Sequence, residues 1–145
     1  MSRTATIAAI GALVVCAACG GGDPTTPATP EATPDTGAVR VLTAANFDAE
    51  VLQNPGVVMV EFYSPTCPAC LSMTEIVEQV AQDFSGRAVV GTVNAVVERD
   101  LLEQYAIQVV PTFVFFKGGR ELSRYSGTAT RSQLGARLEA VITAP

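Results

Sequence analysis

Histidine and tryptophan are both absent from the 145 residues of this chain. Without His there is no imidazole for acid–base catalysis, no His-ligated metal site and no Ser/His triad. Positive charge is also scarce: 9 Lys and Arg stand against 14 Asp and Glu, a net charge of −5. No basic cluster or basic stripe with interleaved aromatics occurs, which argues against nucleic acid as a partner. Chemistry must then come from Cys, carboxylates, Tyr, Ser, Thr or the backbone. What the chain has in quantity is apolar material, 48% of its residues, enough for the core of one domain with appendages.

The stretch V-V-M-V-E-F-Y-S-P-T-C-P-A-C-L, from Val57 to Leu71, organises the rest. An apolar β-favouring run reaches a short turn, then two cysteines three apart that open a helical pattern. Cys67 falls at the helix N-terminus, where unpaired N–H groups and the macrodipole favour an anion. A thiol placed there ionises more readily, and the thiolate is the reactive form. Cys70 follows one turn later on the same face, within reach of a disulfide. A structural disulfide and a metal half-site are the competing readings. The first closes too small a loop to restrict the unfolded chain much, and the second leaves a tetrahedral ion short of ligands.

Glu61 is the one charge in the run Val57–Tyr63, which reads as a central strand covered on both faces. Such a charge needs a partner or a task, unless it reaches solvent at a strand edge. Pro111, before the apolar run Thr112–Phe116, reads on its own as a proline starting an edge strand.

The N-terminus has the build of an export signal over residues 1–18. Arg3 supplies the positive start, and Thr6–Ala18 is uncharged, apolar and short for a membrane span. The tetrapeptide C-A-A-C resembles a bacterial lipoprotein signal with Cys19 as the lipidated residue, although Cys16 occupies a position usually held by an aliphatic residue. Cleavage as an ordinary signal is the alternative. Residues 19–37, rich in Gly, Pro and Thr, cannot bury a core and read as a tether.

From residue 38 to 145 the patterns alternate. Val39–Leu42 reads as a strand, and Thr43 as the N-cap of a helix with Phe47, Val51 and Leu52 on its apolar side. Cys67–Phe84 reads as a single helix, with Pro68 tolerated in its first turn. Ala88–Asn94 is a strand and Glu98–Tyr105 a helix. Thr112–Phe116 and Glu121–Tyr125 form a hairpin about Gly118-Gly119, and Thr130 with Gln133 makes a capping box for a last helix carrying Leu134, Leu138, Val141 and Ile142. The order β-α-β-α-β-α-β-β-α predicts an α/β fold, a mixed sheet with helices on both faces. Its first β-α-β-α stretch predicts parallel neighbours with right-handed crossovers.

With Cys67-Pro-Ala-Cys70 after one apolar strand and Val110-Pro111-Thr112 before another, residues 38–143 resemble the thioredoxin superfamily. The F-K-G-G hairpin and Gly127 fall in the family's order. The spelling V-E-F-Y-S-P-T-C is closer to protein disulfide isomerase domains than to ordinary bacterial thioredoxins. The resemblance implies the thioredoxin fold, Pro111 as a cis-proline facing the cysteines, and the backbone of Val110 as a pairing edge for an extended substrate. It also implies that Glu61 passes a proton to or from Cys70. Thr66 stands where the family carries Trp at the substrate-facing rim, and Thr92 where thioredoxins often carry Lys near the buried acid.

The function so implied is thiol–disulfide exchange by the Cys67/Cys70 dithiol in the cell envelope or periplasm, with a lean to reductase and no metal or organic cofactor. Expected partners are exported Cys-containing clients and a membrane component that resets the dithiol. The alternative is a binding module, whose groove holds an extended chain or whose thiolates hold a soft metal such as Cu(I) without turnover.

Overall fold

The computed structural model describes residues 37–145. The signal, Cys19 and the tether up to residue 36 lie outside the described residues. Five strands form one sheet in the order β1-β3-β2-β4-β5, with β1 at Arg40–Leu42, β2 at Val57–Tyr63, β3 at Ala88–Asn94, β4 at Thr112–Lys117 and β5 at Arg120–Ser126. β3 pairs parallel with both β1 and β2, whereas β4 runs antiparallel to β2 and to β5. The parallel β1, β2 and β3 agree with the alternating pattern, but β3 lies between the other two.

β2 is central, and its alternation sorts side chains between two cores. Val58, Val60 and Phe62 join Val114, Phe116, Phe47 and Val51 on one face. Met59 joins Phe113 and Phe115 on the other, under the helices α2 (Thr74–Asp83) and α4 (Arg131–Thr143). Glu61, two residues after Met59, therefore points to the α2 side. Fully burying each such Phe or Val contributes on the order of 1.5–3 kcal/mol, so this alternation fixes the strand register.

Two expected elements differ. The helix foreseen over Cys67–Phe84 is divided into α1 (Pro68–Leu71) and α2, interrupted at Ser72–Met73. Ser72 Oγ donates to Ala69 O at 2.7 Å and Met73 N–H to Cys70 O at 2.9 Å, so the chain tightens into i→i+3 bonds. The break lets both Cys70 and Met73 face inward, each at most 2% exposed. Thr43 is not a helix cap either. Its N–H donates to Asn46 Oδ1 at 2.8 Å, and this side-chain turn delays the helical residues to Asp48–Leu52.

The remaining elements lie where the pattern puts them, including α3 (Arg99–Gln104) and the capping box of α4, where Gln133 N–H donates to Thr130 Oγ1 at 3.2 Å. Gly118 and Gly119 turn the hairpin with φ of 55° and 74°, the conformation of a two-residue turn that matches strand twist.

The hairpin also ties down the last helix. Lys117 Nζ donates to Ile142 O at 3.0 Å and to Ala144 O, placing a cation on carbonyls that α4 cannot satisfy itself. Lys117→Met keeps the stem and removes the charge. We expect it to lower unfolding free energy by about 1 kcal/mol in urea titration. An unchanged midpoint would show that solvent serves these carbonyls equally well.

Candidate functional site

The site is built where β2 ends. Cys67 has extended backbone (φ −93°, ψ 113°) and serves as the N-cap of α1, with Pro68 following at a position that needs no donor. Its own N–H donates to Ser64 O at 3.1 Å, which closes the turn from the strand. The cap is made by sulfur: Cys70 N–H donates to Cys67 Sγ at 3.3 Å. Hydrogen bonds from the Cys70 thiol and from the backbone N–H groups of Cys70 and Ala69 hold the Cys67 thiol below its ordinary pKa.

Cys70 is in the opposite situation. It is 2% exposed, and burial, reinforced by its hydrogen bond to Cys67, pushes its thiol up to about 11. Neither cysteine is in a disulfide. The pair is thus unequal: an accessible, acidified sulfur in front and a buried, protonated one behind.

Facing Cys67 is the loop before β4. The Val110–Pro111 peptide bond is cis, and Val110 O lies 3.8 Å from Cys67 Sγ. Pro111 is buried, whereas Thr66 and Val109 are exposed beside it, so one edge of the dithiol stays open. Leu71 on α1 is also exposed, at 59%. None of these three exposed residues, Thr66, Val109 and Leu71, carries a charge.

Behind Cys70, a cleft of about 200 Å³ opens between α2 and the sheet, lined by Glu61, Cys70, Thr74, Glu78 and Thr92 among others. Glu61 is 3% exposed and sits across from Thr92 in the β2–β3 register, so no cation faces it from the position that thioredoxins often fill with Lys. Its Oε1 receives no hydrogen bond from any described residue. Burial without that compensation raises its carboxyl to about 7, from an ordinary 4.5. Glu61 is therefore no solvent-reaching edge residue.

The structure places Val110 and Pro111 across from Cys67, with Thr66 exposed next to it, and Glu61 with Cys70 on the cleft behind; Cys19 lies outside the described residues. Among the described residues no group of three or more His, Cys, Asp or Glu side chains could hold a metal ion. No local pattern singles out Thr112 Oγ1 and Ser126 Oγ, which meet at 2.9 Å where β4 begins after Pro111. The sequence does hold a partial signal, a hydroxyl directly after Pro111.

Comparison with known proteins agrees with this arrangement. The family model described as Thioredoxin matches residues 38–140. The chain is similar to the thioredoxin of Chlorobaculum thiosulfatiphilum, 27% identical over 97 residues that cover 67% of this chain and 90% of that protein. It is also similar to thioredoxin 1 of a Nostoc species, 31% identical over 102 residues, or 70% and 95% of the two chains. Protein disulfide isomerase-like 1-3 of Arabidopsis thaliana is 38% identical over 93 residues, 64% of this chain and 16% of that longer protein. With a fold, a dithiol and a matched span in agreement, the chain belongs to the thioredoxin family of thiol–disulfide oxidoreductases.

Proposed function

We propose that this protein reduces disulfides of exported proteins in the bacterial envelope, held to a membrane through Cys19. The observation that carries the exchange chemistry is the inequality of the two sulfurs, Cys67 acidified at a helix start and Cys70 protonated by burial. The Cys67 thiolate attacks one sulfur of a client disulfide. That S–S bond breaks, a client thiolate leaves, and a mixed disulfide forms at Cys67. Cys70 then attacks Cys67 Sγ, giving its proton to the Glu61 carboxylate and releasing the second client thiolate. Two electrons pass from the enzyme dithiol to the client. The dithiol carries them itself, so the reading needs no metal or organic cofactor.

The lean to reductase rests on what lies between the cysteines. A strongly oxidising pair needs a strongly stabilised thiolate. Pro68 and Ala69 add no side-chain donor to the backbone amides already counted. The envelope placement rests on the apolar segment before Cys19 and on the Pro/Thr-rich stretch after it. A membrane component that returns electrons to the Cys67–Cys70 disulfide completes the cycle.

The test removes the resolving sulfur. Cys70→Ala is expected to accumulate a one-to-one mixed disulfide between Cys67 and a client, seen by mass spectrometry without reductant and lost on adding it. A trapped species in Cys67→Ala, with Cys70 intact, would assign the attack to the wrong sulfur.

A further inference from the structure

Thr112, the first residue of β4, is 2% exposed and carries one hydroxyl proton. Thr112 Oγ1 lies 2.7 Å from Val109 O and 2.9 Å from Ser126 Oγ. A carbonyl only accepts, so Thr112 must donate its proton to Val109 O. The Ser126 contact can then run in one direction only, with the Ser126 hydroxyl donating to Thr112 Oγ1. The chain is Ser126 O–H to Thr112 O–H to Val109 O=C, and each donation strengthens the next.

This chain acts on the loop that faces the reactive sulfur. With Val109 O drawn toward β4 and β5, the next peptide group, that of Val110, is set with its carbonyl toward Cys67, 3.8 Å from the sulfur. Gly127 N–H donates to Pro111 O at 2.8 Å and fixes the far side of the same loop. The register that permits the Thr112–Ser126 contact depends on an irregularity in the hairpin. Phe116 pairs with Glu121 but Phe115 with Ser123, so Leu122 is an extra residue. Without it, Tyr125 would oppose Thr112 in place of Ser126.

We propose that Thr112, with Ser126 as its donor, is a positioning residue that sets the Val110 backbone to pair with an extended client strand. The inference rests on the reading above, in which clients pair at Val110. Val109 is exposed at 56%, whereas Thr112 is 2% exposed, so removing the hydroxyl changes the loop from its buried side.

The test uses a disulfide-bonded peptide as substrate, together with its analogue N-methylated at the residue flanking the cysteine. In the unaltered protein, methylation is expected to raise KM, because it removes a backbone donor. Thr112→Val is expected to raise KM for the unmethylated peptide about tenfold, while kcat falls at most about twofold. Methylation should then matter little, and Thr112→Ser should restore the original KM. Ser126→Ala, at an exposed position, is expected to raise KM about threefold, and it decides the question should Thr112→Val not fold. If methylation raises KM in the unaltered protein but neither variant does, the positioning role is wrong and the pairing stands. If methylation has no effect at all, pairing at Val110 is wrong and the inference falls with it.

Discussion

Cys67→Ser is expected to lower the reduction of insulin disulfides by roughly a thousandfold or more, because a serine hydroxyl stays protonated and its oxygen forms no disulfide. The substitution separates chemistry from folding. Cys67 is the N-cap of α1, and Ser is among the preferred N-cap residues, so its oxygen can accept the Cys70 N–H that the sulfur now accepts. Unfolding free energy should change by no more than about 0.5 kcal/mol. Lost turnover in a chain of unchanged stability then points to the sulfur itself. More than about one per cent residual activity would remove Cys67 as the nucleophile and favour a groove that binds without turnover.

The second large effect concerns Glu61 and appears as a pH dependence of stability. In the unfolded chain its carboxyl ionises near 4.5, and in the folded protein near 7. Below 4.5 both states hold the proton and burial carries no ionic penalty. As pH rises from 4.5 to 7 the unfolded chain releases its proton first, which favours unfolding. Above 7 both are ionised and the full penalty applies, roughly 3 kcal/mol. Asp83 and Glu139, paired with Arg131 and Arg87, are held below their ordinary values, so their contributions are lost as pH falls, below this window.

Glu61→Gln keeps the shape and removes the ionisation. Urea unfolding at pH 4.5 and 7.5 should show the unaltered protein losing about 3 kcal/mol while the variant stays nearly level, and hence more stable at the higher pH. Its turnover at neutral pH should fall about tenfold, at or below the lower end for a lost proton acceptor, because the cleft at Glu61 has room for water as a substitute. Parallel stability curves for the two proteins would mean that the carboxyl is not buried as an acid of raised pKa. On the proposed role of Glu61, the protein gives up stability at neutral pH to keep a proton acceptor beside Cys70.

How much of this was legible differs from residue to residue. The placement of Cys67 at a helix start follows from an apolar run, a turn and a proline in sequence, all local features. The capping box at Thr130 and the hairpin at Gly118-Gly119 are legible for the same reason. The break at Ser72–Met73 was not, because helix propensity alone carries the pattern through it. Past that break Met73 packs inward, and its Sδ accepts Ala129 N–H at 3.4 Å from 56 residues away, a contact no local pattern announces.

The amino-acid order by itself determined the strands and most of the helices, the dithiol at a helix N-terminus and the lone acid in a central strand, since each depends on neighbours a few residues apart. Only the tertiary structure decided which groups face one another: the carbonyl of Val110 toward Cys67, Glu61 and Cys70 onto one cleft, and Ser126 rather than Tyr125 opposite Thr112. The last turns on one extra residue in β5, and a shift of one residue carries every following side chain to the other face of the sheet.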